Sequence, residues 1–132
     1  ELFKLCDDIA LQHCVFFAGN VSKEMIREYL ARSPALVVSS LQAPFGVAVI
    51  EALSRGCPVL ATRCAGPEDI LSEKTGILTD PENDKALSLA MTQMVAGYKN
   101  FNRDYLRTYA ISHFGSKAFL ESSLELYRHI LN

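Results

Sequence analysis

Tryptophan is absent from this sequence, and aromatic residues make up only 9% of its 132 positions. No apolar run approaches the ~18–20 residues needed to cross a bilayer, and the opening residues do not read as a signal peptide. Neither sign of charge dominates, since the net charge is −2 with 21% charged residues. A strongly basic nucleic-acid face and a polybasic membrane patch are therefore excluded. The four cysteines, Cys6, Cys14, Cys57 and Cys64, contain no Cys-x-x-Cys pair, which excludes zinc and thioredoxin-like readings. Their spacing points to a reducing compartment. Cys57, beside the apolar run Pro58-Val59-Leu60-Ala61, reads as a buried, inert thiol. The histidines, His13, His113 and His129, are scattered and form no metal-spaced cluster, and there is no Asp-x-Asp pair. An initiator methionine is also missing. The chain opens Glu1-Leu2-Phe3-Lys4-Leu5, already in mid-pattern, and is expected to be a piece of a longer protein.

What is present is a single domain's worth of chain, 49% hydrophobic, enough to build a core without disulfide or metal staples. Leu2, Leu5, Cys6 and Ile9 recur at helical spacing, so residues 2–11 read as the end of a helix. Cys14-Val15-Phe16-Phe17-Ala18, stopped by Gly19, reads as a buried strand. Ser22 is a good N-cap for a helix through residue 31. A second strand is Ala35-Leu36-Val37-Val38, followed by a loop from Ser39 to Phe45. Gly46 opens a helix from Val47 to Arg55, with Gly56 and Pro58 as its stop signal. Pro58 to Ala61 is a third strand. Pro67, Glu68 and Asp69 start a short helix, and Gly76-Ile77-Leu78 is a fourth strand. Asp80 and Pro81 read as the cap and first residue of the next helix. Residues 101–111 are helical, and Ser116 caps a last helix with Leu120, Leu124, Tyr127 and Leu131 on one stripe. Apolar strands alternating with amphipathic helices specify an α/β fold, a Rossmann-like parallel sheet with helices on both faces.

In open parallel sheets, ligands bind beyond the carboxyl ends of the strands. The informative loops are therefore Gly19-Asn20-Val21, Ser39 to Gly46, Thr62 to Pro67, and Thr79-Asp80. Gly46 leads into a helix whose first amides lack helical partners, which makes an anion site worth about 0.3–2 kcal/mol from the macrodipole. Glu51 lies one turn deeper. Its carboxylate either accepts hydrogen bonds from vicinal ribose hydroxyls or is an ordinary exposed helix glutamate; the residues alone leave both open. Arg63 is the basic residue of the loop after the third strand, and its plain reading is a solvated charge.

The run Phe45-Gly46-x-x-x-x-Glu51-Ala52-x-x-x-Gly56-x-Pro58-Val59 resembles the C-terminal donor-binding domain of retaining glycosyltransferases with the GT-B fold, family 4 or group 1. Further segments agree in order and spacing over nearly the whole chain. They are Val15-Phe16-x-x-Gly19, Val37-Val38-Ser39-Ser40, and Gly66-Pro67-Glu68-Asp69-Ile70-Leu71 with Gly76-Ile77-Leu78. Phe114 and Tyr127 fit the family's closing helix. The resemblance implies that residues 1–132 are one N-terminally truncated nucleotide-sugar-binding domain whose partner, an N-terminal acceptor domain, is not in this chain. It implies that Phe45, Gly46, Val47 and Ala48 contact the donor diphosphate and sugar. Glu51 would bind the ribose, and Gly19, Asn20 and Val21 would line the base site. The donor would be a nucleoside-diphosphate sugar, UDP-linked by preference with GDP as the alternative, and no metal or other cofactor is implied.

One position departs from the pattern. Where the family carries the first glutamate of a paired motif, this chain has Ala43, which can neither accept a hydrogen bond through its side chain nor stabilise positive charge. Gln42 is the neighbouring polar side chain. The leading expectation is the donor half of a hexosyltransferase in glycan, lipid or polysaccharide biosynthesis, retaining at the anomeric carbon and silent as this fragment alone. Its location would be cytoplasmic, with membrane association through the missing domain. Alternatives are a degenerate, non-catalytic sugar-nucleotide-binding or interaction module, and a GT-B nucleotide-sugar epimerase. A receiver-like domain shares the alternation but needs an acidic cluster at the strand ends, which here read Ala18-Gly19, Ser39-Ser40 and Ala61-Thr62.

Overall fold

Short apolar stretches and amphipathic helices do alternate along the chain, and the computed structural model describes residues 1–131. The helices are α1 (Leu2–Asp8), α2 (Lys23–Arg32), α3 (Val47–Ser54), α4 (Ala65–Ile70), α5 (Asp84–Gly97), α6 (Arg103–Phe114) and α7 (Ser116–Leu131). The strands are β1 (Leu36–Val38), β2 (Val59–Thr62) and β3 (Gly76–Thr79), and a 3₁₀ turn covers Tyr98–Asn100. All strand pairs are parallel, in the order β1-β2-β3, with Leu36 opposite Val59 and Val59 opposite Gly76.

The central strand explains the layering. β2 is buried at all four positions. Successive side chains of a strand point to opposite faces. Val59 and Ala61 accordingly join Leu30, Val49, Leu53, Ile70 and Leu106 on the face covered by α2, α3, α4 and α6. Leu60 points the other way, onto Ala90 and Met94 of α5. Helices thus cover both faces of the sheet, as expected.

α6 also closes the ends of two other helices. The last carbonyls of a helix lack intrahelical donors. The Arg103 guanidinium donates to the Ala31 carbonyl at the end of α2 (2.7 Å), and Arg107 donates to the Arg55 carbonyl just past α3 (3.4 Å). Gly56 takes φ +72°, and a Cβ there would stand 2.9 Å from the Arg103 carbonyl oxygen. Glycine is required at that stop signal for two independent reasons, handedness and space.

Four sequence expectations are corrected. Cys14–Ala18 is not a strand. Among the described residues β1 pairs only with β2, so this segment joins no ladder, and a strand without one is not held. Phe16 is 81% exposed, while Phe17 rests on Phe3 of α1 with ring centroids 4.1 Å apart. The cap of α5 is Asn83, whose Oδ1 accepts the Ala86 amide at 3.0 Å, in place of Asp80 and Pro81. Glu82 takes φ +54°, which turns the backbone before helix can begin. Pro67 is the third residue of α4 and not its first, and Phe114 ends α6 rather than lying in the last helix. Ser22 does cap α2, accepting the Met25 amide at 3.3 Å.

Cys57 is fully buried, whereas Cys14 is exposed. Burial pushes the Cys57 thiol above its ordinary pKa, against the smaller opposing influence of Arg103. A thiol held neutral is a poor nucleophile. We expect iodoacetamide to modify Cys14 in the folded chain at pH 8 and to reach Cys57 only after denaturation, as read by peptide mass spectrometry. Modification of both at similar rates in native buffer would contradict this placement.

Candidate functional site

The loop after β1 crosses the carboxyl ends of the strands and enters α3 through Gly46, which takes a left-handed φ of +71°. That turn of the backbone sets the head of α3. The Gly46 carbonyl accepts from Val49 (2.9 Å) and Ile50 (3.3 Å), so the helix ladder begins there. The amides of Val47 and Ala48 find no acceptor among the described residues, and both residues are exposed. Phe45, 67% exposed, stands immediately before them. The structure thus brings Phe45, Gly46, Val47 and Ala48 together at one helix head with two free donors.

Two contacts fix this loop, and neither was singled out from the sequence. The Gly66 amide donates to the Ala43 carbonyl at 3.0 Å. Gly66 packs so closely that a Cβ there would lie 2.6 Å from the Gly46 nitrogen and 2.7 Å from the Ala43 oxygen. The buried Thr62 hydroxyl, at the end of β2, donates to the Ser40 carbonyl. The Gly66-Pro67 pair was visible as part of a motif, but its contact with residues twenty positions earlier had no local signal. Thr62→Val should leave the Ser40 carbonyl without its partner and cost about 1–3 kcal/mol. Urea unfolding would measure this, and a midpoint equal to that of the parent chain would refute the role.

Glu51 lies one turn further along α3 and is exposed. It borders a notch of about 150 Å³ between α2 and α3, together with Lys23, Arg27, Ser54 and Arg55. None of these charges enters an ion pair among the described residues. Gly19, Asn20 and Val21 precede α2. Gly19 has φ +66°, Gly19 and Asn20 are exposed, and Val21 is half-buried. No hydrogen bond joins them to the head of α3. Lys23, the first residue of α2, borders the Glu51 notch, but Gly19, Asn20 and Val21 are not among the residues that line it.

Arg63 does not face the free amides as an unpaired cation. It is held between Glu68 (3.6 Å) and Asp80 (3.7 Å), and its amide donates to the Thr79 carbonyl at 2.8 Å, tying the loops after β2 and β3 together. Ala43 offers this site only its backbone. Among the described residues, no three His, Cys, Asp or Glu side chains lie together in a way that would hold a metal ion. No helix among the described residues is long and apolar enough to cross a membrane.

The sequence pattern of the family described as glycosyl transferases group 1 matches residues 1–112. Sucrose-phosphate synthase 4 of Arabidopsis thaliana is 37% identical over 97 residues, which are 61% of this chain and 9% of that protein. The solved sucrose-phosphate synthase of Thermosynechococcus elongatus superimposes with a TM-score of 0.84 at 27% identity, over 98% of this chain and 33% of that one. Anabaena Alr3699/HepE, solved in complex with UDP, superimposes with a TM-score of 0.84 at 20% identity over 97% of this chain and 36% of that one, a likeness of fold. The chain spans between 9% and 28% of the length of the first curated relatives it matches.

Proposed function

This chain belongs to the glycosyl transferases group 1 family, and from that membership we propose that it forms the donor-binding half of a retaining hexosyltransferase. The observation that carries this reading is the pair of unpartnered amides at Val47 and Ala48, with Glu51 one turn below them. Such a helix head suits a diphosphate, because free N–H groups and the macrodipole both favour negative charge. Gly46 takes the left-handed φ that aims the helix head, and its missing side chain makes room for Ile70 and Pro67 behind it. Glu51 accepts hydrogen bonds from the ribose hydroxyls, and Gly19, Asn20 and Val21 line the base site mainly through backbone. Phe45 bounds the sugar side.

The donor is a nucleoside-diphosphate sugar, UDP-linked by preference, in keeping with a fold relative solved with UDP. GDP is the alternative. In the reaction, the glycosyl–phosphate bond breaks and the acceptor hydroxyl oxygen bonds the anomeric carbon on the same face. The acceptor's proton leaves with the diphosphate. Charge collects on the leaving diphosphate, where the Val47 and Ala48 amides stabilise it. Half a unit of helix charge does not balance two phosphate charges, and Arg63 already faces two carboxylates. The remaining cations belong to another part of the protein, as does the acceptor site for a glycan or lipid. The 132 residues alone are therefore catalytically silent. We place the whole protein in the cytoplasm.

One observation favours a second reading, a binding module without catalysis: at Ala43 only a backbone carbonyl is offered, and Gly66 already occupies it. The longer protein carrying this domain separates the two. Transfer to an acceptor, or slow hydrolysis of a UDP- or GDP-sugar, supports the transferase. Nucleotide binding with neither activity supports the module.

A further inference from the structure

A sizeable cavity lies away from the loops just described. It measures about 560 Å³ and sits at the amino end of β3, beneath the last turn of α5 and the first turn of α6. That volume falls within the ~300–1,000 Å³ range of small-molecule sites. The Glu73–Lys74 turn that leads into β3 forms one wall, and Phe101 and Tyr105 form another.

The chemistry of the lining is specific. Tyr105 is 41% exposed and its ring is stacked on Tyr109, centroids 6.1 Å apart and planes 25° from parallel. Tyr109 is itself anchored by its hydroxyl on the Ile70 carbonyl at 2.8 Å. The cavity therefore has a supported aromatic face. Around it stand side-chain amides of Gln93, Asn100 and Asn102. Asn102 uses its Oδ1 to accept the Asp104 and Tyr105 amides (3.0 Å each), which leaves its NH₂ group free. Glu73 and Lys74 bring one charge of each sign, and neither enters an ion pair among the described residues. With one charge of each sign, the lining has no net field that selects an anion over a cation. An aromatic face flanked by three side-chain amides matches a ligand with apolar C–H faces and many hydroxyls.

We propose that this cavity binds a neutral saccharide, at the opposite end of the strands from the nucleotide site and independently of it. Such a site gives the protein a second hold on a sugar chain. Gly97 makes the proposal testable. It lines the cavity, its φ is −116°, and a Cβ there would meet nothing nearer than the Asn100 Nδ2 at 3.8 Å. A larger side chain fills the cavity without backbone strain.

The experiment is titration of the ¹⁵N-labelled chain with maltotriose, cellotriose, chitotriose and mannotriose, each to about 50 mM, a range that covers millimolar affinity. At least one should move the amides of Gly97, Asn100 and Tyr105. Gly97→Leu and Tyr105→Ala, each with the dispersed spectrum of a folded chain, should weaken that binding at least tenfold. UDP at the same concentration should leave these amides in place. The proposal is overturned if no trisaccharide moves them, if binding survives both substitutions, or if UDP occupies the same cavity.

Discussion

Gly66→Ala is expected to lower stability by about 3 kcal/mol or more, a fall in Tm of more than about 10 °C for a chain of this size. The three nearest atoms that the new methyl group meets are all backbone: the Phe45 carbonyl carbon, the Gly46 nitrogen at 2.6 Å and the Ala43 oxygen at 2.7 Å. No side chain can rotate away to relieve the clash. The Ala43 carbonyl also accepts the Gly66 amide, so moving the loop aside lengthens that bond. Gly19→Ala provides the contrast. Gly19 has φ +66° but open space around the position, so the cost is only that of a left-handed alanine, about 1 kcal/mol. Thermal melts followed by circular dichroism compare the two. Equal losses would mean that close packing of Gly66 against the Ala43–Gly46 loop is not what holds the head of α3.

Glu51→Ala is expected to weaken nucleoside-diphosphate binding at least tenfold, since hydrogen bonds to a charged carboxylate are worth about 1.5–3 kcal/mol each. The surroundings sharpen this prediction. Lys23, Arg27 and Arg55 border the same notch, so removing Glu51 makes it more positive. If the nucleotide met this notch merely through its phosphates, the substitution would tighten binding. If Glu51 holds the ribose hydroxyls, affinity falls despite the added positive field. Glu51→Gln keeps one acceptor oxygen and should fall between. Calorimetry with UDP and GDP reads the sign directly.

The contrast between these two residues shows what a sequence discloses. The helix start at Gly46 was legible because its signal is local, and the position of Glu51 one turn on follows from that helix, whereas its role does not. The buried run Val59–Thr62 was legible for the same reason, its apolar character being continuous. Gly66 is different. Its importance comes from contact with Ala43 and Gly46 across the carboxyl ends of the strands, and nothing near it in the chain encodes that approach. Cys14–Ala18 shows the converse failure. Its composition is that of a strand, but strand formation depends on a partner, and among the described residues β1 makes its ladder with β2 alone. The start of α5 was misplaced between two competing local signals. Pro81 is acceptable at a first helical position, yet Glu82 turns left-handed and Asn83 supplies the cap. Arg63 was legible as a solvated loop charge, although its two carboxylate partners, Glu68 and Asp80, emerge only when the loops after β2 and β3 are brought together.

Amide chemical-shift mapping of the ¹⁵N-labelled chain with UDP and GDP asks whether the head of α3 receives a nucleoside diphosphate through backbone amides, as we propose. The largest shifts should fall on Val47 and Ala48, downfield as their N–H groups gain an anionic acceptor, with smaller shifts at Asn20 and Val21. If neither nucleotide moves Val47 and Ala48 at millimolar concentration, or if the shifts gather elsewhere on the domain, the proposal is contradicted.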